Sequence, residues 1–85
     1  MALTAEEQTY IEGLYDDLIK SAKRLKTEED IAFVRKAFEL ANEAHSKMRR
    51  KSGEPYIIHP IAVAKIVASE IGLGRKAIAS ALLHD

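Results

Sequence analysis

Apolar residues in this chain recur at steps of three and four and never in a sustained alternation, so the sequence is committed to amphipathic helices rather than strands. Ile11, Leu14, Leu18, Ala22 and Leu25 line one face of a first helix. Thr4 and Glu7 stand three apart before that stripe, the spacing of a capping box, so the helix is expected to start after Thr4. A second helix begins at Thr27, followed by Glu28, Glu29 and Asp30, all favourable at the positive end of a helix dipole. Its stripe is Ile31, Val34, Phe38, Ala41, His45 and Met48, flanked by Phe33, Ala37, Leu40 and Ala44. Lys47, Arg49 and Arg50 are expected in its last turn, where cations complement the dipole.

Lys51-Ser52-Gly53-Glu54-Pro55 interrupts the pattern, because Gly53 admits unusual backbone angles and Pro55 forbids helix continuation. Tyr56-Ile57-Ile58 reads as a short extended stretch, and Pro60 suits the first position of a third helix. Val63, Ala64, Val67 and Ile71 mark the expected buried side of that helix, with Gly72 and Gly74 at its end. A fourth helix runs from Arg75 with Ile78, Ala81 and Leu82 and carries His84 and Asp85 at its end. It stops in an apolar run with no C-cap, so it reads as truncated in a protein that continues. The fold class expected is all-α, a bundle of about four helices.

Eighty-five residues form one small domain, able to bury roughly 60–65% of its unfolded surface. Thirteen basic residues balance thirteen acidic ones, which argues against a general DNA or RNA binder or a membrane-surface protein. A local basic patch remains at Arg49-Arg50-Lys51. No cysteine is present, so disulfides and thiolate metal sites are excluded. No apolar run approaches the ~20 residues of a membrane span, and the first residues do not form a signal peptide. A cytoplasmic protein is the default reading.

Three residues carry ligand chemistry. His59 stands at the loop-to-helix junction, and His84 and Asp85 are adjacent. Imidazole and carboxylate suit a divalent manganese, iron or zinc ion. Neighbouring helical residues point about 100° apart, so both reach one ion only if the helix edge between them faces it. His59 joins them if the third and fourth helices pack together. Alone, a His-Asp dipeptide is more often a solvated polar helix end than a ligand pair. His45 falls on an apolar stripe, where a histidine is usually a hydrogen-bonded core residue, and it is left out of the metal set.

The order and spacing of Ala44-His45, Arg50-Lys51-Ser52-Gly53-Glu54-Pro55-Tyr56-Ile57-Ile58-His59-Pro60, Val63-Ala64 and Ala81-Leu82-Leu83-His84-Asp85 resemble the opening of the HD hydrolase domain of the RelA/SpoT family. The resemblance implies an all-α HD fold, with residues 1–26 a helical leader and 27–85 the first part of the domain. It implies one bound metal ion, usually manganese, with His59, His84 and Asp85 among its ligands. It implies guanosine tetra- or pentaphosphate as substrate, cleaved between pyrophosphate and the ribose 3′ oxygen to GDP or GTP. Arg50, Lys51 and Ser52 match the stretch that holds this nucleotide, the arginine stacking on guanine and its neighbours approaching sugar and phosphates. Arginine both stacks on aromatic faces and pairs with anions, so the role is physically apt. The bland alternative is that these cations complement the end of the second helix.

The family's fourth metal ligand, an aspartate, and the acidic Glu-Asp pair that serves the attacking water come later than Asp85. No catalytic acid or base can therefore be named here, and the 85-residue piece is expected to turn over little or nothing. Met48 replaces a frequent glutamine, and the stretch Ala68 to Gly74 is one residue longer than usual. The long leader resembles multidomain members that also synthesise the nucleotide. Two other readings remain: a degenerate regulatory domain of a synthetase, or a helical interaction module. An exposed last helix also leaves room for a homo-oligomer. Tyr56 and Glu54 are expected to shape the loop rather than touch substrate, and Tyr10 and Tyr15 to belong to core or interface.

Overall fold

A computed structural model describes residues 3–84. Among these the chain is all-α, in four helices with no strand: α1 (Ala5–Ser21), α2 (Glu28–Ala44), α3 (Ile58–Ile66) and α4 (Arg75–Leu83). A π-helical turn, Val67–Ile71, extends α3. α4 packs against both α2 and α3, and α1 packs against α3.

Both expected starts are present. The Thr4 hydroxyl accepts from the Glu7 amide at 3.0 Å, and the Glu7 carboxylate accepts from the Thr4 amide at 3.0 Å. This reciprocal cap satisfies two amides that a helix start otherwise leaves open. Thr27 caps α2 by accepting from the Asp30 amide at 3.1 Å. Ile11, Leu18 and Ala22 are buried as expected, joined by Tyr15, while Leu14 and Leu25 pack partly buried against the core and Tyr10 is exposed. From α2, Val34, Ala37, Phe38 and Ala41 face inward. The Phe38 ring stacks on Tyr15 with centroids 4.4 Å apart. Over both rings, each 5.0 Å away, lies the Arg35 guanidinium, which donates to both Glu12 carboxylate oxygens at 2.8 and 3.1 Å.

Several local expectations are corrected. α2 ends at Ala44, so Lys47, Arg49 and Arg50 lie beyond it and do not complement its dipole. The cause is Ser46, whose amide and hydroxyl both donate to the Glu43 carbonyl at 3.3 and 3.0 Å and close the helix with a tight turn. Met48, beyond that stop, is accordingly exposed, and so is Ile31 in the first turn of α2. Tyr56-Ile57-Ile58 is not extended: the Ile58 and His59 amides donate to Pro55 and Tyr56 carbonyls, and Ile57 has helical angles. α3 thus starts at Ile58, and Pro60 is its third residue, still within the first turn where a missing amide hydrogen forfeits no bond.

α3 buries Pro60, Ile61 and Ala64 with Val63 partly covered, and the π turn buries Ala68 with Val67 partly covered and Ile71 exposed. The π turn explains the last point, because its wider i→i+5 spacing accommodates one more residue than an α-turn and rotates Ile71 outward. Gly72 then closes the segment at φ +76°, and its amide and that of Leu73 both reach the Val67 carbonyl. α4 buries Ile78, Ala79, Ala81 and Leu82. It ends at Leu83, so His84 is its C-cap rather than a helical residue: its amide keeps a 2.8 Å bond to the Ser80 carbonyl, but its ψ of 146° is extended. Asp85 lies outside the described residues.

Candidate nucleotide and metal site

The link between α2 and α3 folds back on itself as a small hairpin. Arg49 and Pro55 form an antiparallel bridge, the Arg50 amide donates to the Glu54 carbonyl at 3.0 Å, and the Tyr56 amide donates to the Met48 carbonyl at 3.0 Å. At the tip, the Gly53 amide donates to the Arg50 carbonyl at 2.8 Å while Gly53 adopts φ +94°. A tight turn followed by a positive-φ residue is a standard three-residue hairpin closure, and glycine holds that last position without a Cβ penalty. Arg50, Lys51 and Ser52 therefore stand exposed on a backbone with defined hydrogen bonds.

This hairpin and the first turn of α3 enclose an open cavity of about 640 Å³, lined by Arg49, Arg50, Lys51, Ser52, Tyr56 and His59. The volume falls in the range of small-molecule sites. All three residues expected to hold nucleotide thus share one cavity with one of the three expected metal ligands. Arg50 has Glu54 as a loose neighbour, 3.9 Å from its Nε. Two residues of the lining were not singled out as contacts from sequence. Tyr56 was expected only to shape the loop, yet its ring also forms cavity wall and tilts against His45, centroids 4.7 Å apart. Arg49 is the other. Its guanidinium donates to both carboxylate oxygens of Glu7, Nη2 to Oε1 at 2.7 Å and Nη1 to Oε2 at 2.8 Å. Nη1 also donates to the Gly53 carbonyl at 2.8 Å. Held by Arg49 first and by the Thr4 amide second, the Glu7 carboxyl is pulled down to a pKa of about 2.

The metal set is only partly in view. His59 is exposed on the cavity side of α3, and His84 is exposed at the end of α4 but does not line the cavity. Among the described residues no three histidine, aspartate or glutamate side chains converge as a metal-holding group, and Asp85, the third expected ligand, lies outside them. The donors themselves fit a divalent ion. His84 Nδ1 lies 3.3 Å from the Ala81 carbonyl, so the tautomer protonated there leaves Nε2 as a free lone pair, the arrangement typical of metal-binding imidazoles. His45 behaves as expected of a core residue: it is buried, with Nδ1 3.2 Å from Met48 Sδ.

Residues 37–85 match the HD domain family model. The chain is 46% identical over 72 residues to the guanosine-3′,5′-bis(diphosphate) 3′-pyrophosphohydrolase of Vibrio cholerae, covering 85% of this chain and 10% of that protein. It is 35% identical over 83 residues to the bifunctional (p)ppGpp synthase/hydrolase RelA of Mycobacterium tuberculosis, covering 98% of this chain and 11% of that protein. A 3′-pyrophosphohydrolase of Aquifex aeolicus is 50% identical over 52 residues, 61% of this chain and 7% of its own length. The chain spans about a tenth of the length of these relatives. This all-α chain belongs to the HD domain family, matched over residues 37–85, in the RelA/SpoT form of the relatives it resembles over nearly its whole length.

Proposed function

We propose that this chain is the opening part of the hydrolase domain of a metal-dependent guanosine 3′,5′-bis(diphosphate) 3′-pyrophosphohydrolase, within a long cytoplasmic enzyme that also synthesises the nucleotide. The observation that carries this reading is the shared cavity of Arg50, Lys51, Ser52 and His59. A nucleotide with a diphosphate at each end of its ribose presents a dense anionic surface and one flat aromatic base. Arg50 supplies a planar cation able to stack on the base and donate to phosphate, Lys51 a mobile point charge, and Ser52 a hydroxyl that donates to phosphate or sugar oxygens. All three project from a turn whose backbone is already hydrogen-bonded, so little ordering is required on binding.

His59 and His84, with Asp85, would hold the metal, which manganese suits. When bound, such an ion acidifies water and offsets charge on phosphoryl oxygens. The chain's own part is to fix the anionic end of the substrate beside His59, in a wall of cations that favours the charged leaving group. The carboxylates that would serve the attacking water follow Asp85 in this family.

Titration calorimetry of the 85-residue chain with guanosine tetraphosphate tests the reading. Binding is expected, weakened about tenfold or more by Arg50→Ala, as removal of a charged, stacked anchor implies. Equal affinity of the Arg50→Ala form would overturn the placement of the nucleotide. A second reading, an interaction module that associates with itself, has one observation behind it. Phe33, Leu40 and Leu83 are exposed around an apolar groove of about 190 Å³ between α2 and α4. Concentration-dependent sedimentation would support it.

A further inference from the structure

We infer that α1 holds the shape of the cationic hairpin through a strap from Glu7 to Arg49, making Glu7 a positioning residue for the nucleotide although it lies outside the cavity. The inference rests on the functional reading above and adds a residue to it. The strap has a fixed foot, because α1 is seated in the core by Ile11, Tyr15 and Leu18, and Glu7 is the third residue of that helix. Both of its carboxylate oxygens are engaged by the fork of Arg49, and one also receives the Thr4 amide. The other end of the strap is the hairpin tip: the Nη1 that meets Glu7 also donates to the Gly53 carbonyl at 2.8 Å. Gly53 in turn donates its amide to Arg50. One guanidinium thus ties the first turn of α1 to the residue whose positive φ closes the loop carrying Arg50, Lys51 and Ser52.

Two consequences follow for recognition. Arg49 lines the cavity, but its charge is already opposed by a bidentate carboxylate, so the cations left to meet phosphate are Arg50 and Lys51. A planar fork held at two fixed points is rigid, which lowers the cost of ordering the tip when an anion arrives. The strap is intact near neutral pH, where the nucleotide phosphates are fully ionised, since the Arg49 contact pulls the Glu7 carboxyl down to a pKa of about 2.

The test uses Glu7→Ala, Glu7→Gln and Thr4→Ala in the full chain, with two readouts: the Kd for guanosine tetraphosphate by calorimetry, and amide hydrogen exchange at Arg50 and Gly53. Glu7→Ala is expected to raise Kd about tenfold and to speed exchange at both amides. Glu7→Gln keeps an acceptor for Arg49 and the helix cap, so it recovers part of the loss. Thr4→Ala removes the hydroxyl cap and leaves the strap, so its Kd stays within about twofold of the unaltered chain. Unchanged Kd in Glu7→Ala overturns the inference, as does an equal loss in Thr4→Ala, which would assign the effect to fraying of α1. If the unaltered chain binds no nucleotide, the functional reading falls and the strap is judged on exchange alone. Unchanged exchange in Glu7→Ala then overturns it, and faster exchange supports it.

Discussion

Replacing glycine by alanine at two positions should have opposite effects, and the difference isolates the backbone of the hairpin. At Gly13, exposed in the middle of α1, an added Cβ would meet nothing within 4 Å. The substitution there gains the full helix-propensity difference, about 0.8–1 kcal/mol. At Gly53 an added Cβ also meets nothing within 4 Å, so no neighbour opposes it, but the residue holds φ +94°. An L side chain in that region costs about 1–2 kcal/mol, partly offset by the smaller entropy of the unfolded chain. The net expectation is a loss of about 0.5–1 kcal/mol at Gly53, and a gap of about 1.3–2 kcal/mol between the variants. Because both changes restrict the unfolded chain alike, the gap belongs to the folded state. For a domain of this size, 1 kcal/mol moves Tm by roughly 4–8 °C, so thermal unfolding followed by circular dichroism resolves both shifts. A Gly53→Ala protein as stable as the original would refute the positive-φ turn. A destabilised Gly13→Ala protein would refute an open face at that point of α1.

Three further outcomes are expected. Phe38→Ala removes a 1%-exposed ring stacked on Tyr15 and should cost about 3–5 kcal/mol in calorimetric unfolding, a large part of the roughly 4–13 kcal/mol available to 85 residues. A cost below about 1 kcal/mol would contradict its central place in the core. The Tyr15 hydroxyl is buried with no hydrogen-bond partner among the described residues, so Tyr15→Phe should leave stability unchanged or raise it by about 1 kcal/mol in urea titration; a clear loss would reveal a bond to the hydroxyl. The Glu7 carboxyl, lowered from 4.5 to about 2, contributes stability fully above pH 4.5, and that contribution disappears as pH falls toward 2. Acid unfolding of Glu7→Gln should therefore show a shallower loss across that window than the original chain, and identical curves would deny the Arg49 contact.

How much was legible in the sequence differs between elements. The starts of α1 and α2 follow from Thr4, Glu7 and Thr27, because capping is a local matter of three or four residues. The end of α2 was not legible, since Ser46 stops the helix through bonds to Glu43 that any serine can make or decline. The buried face of α3 was half read: Ile57 through Ile71 is apolar on nearly every side, so periodicity cannot choose between Ile61 and Ile71, and the π turn shifts the phase again. At the site, the motif residues Arg50, Lys51, Ser52 and His59 do gather in one cavity. Glu7 and Arg49 were invisible as a pair because they stand 42 positions apart, and only packing of α1 brings them together. Tyr56 could have been suspected, since it lies between the hairpin and His59.

The decisive experiment is product analysis of guanosine tetraphosphate incubated with manganese and the full-length protein that carries this segment. Equal amounts of GDP and pyrophosphate are expected, formed only with metal present and lost in His84→Ala. Recovery of intact nucleotide from a folded, metal-supplied protein, or release of single phosphates in place of pyrophosphate, would contradict the proposed 3′-pyrophosphohydrolase.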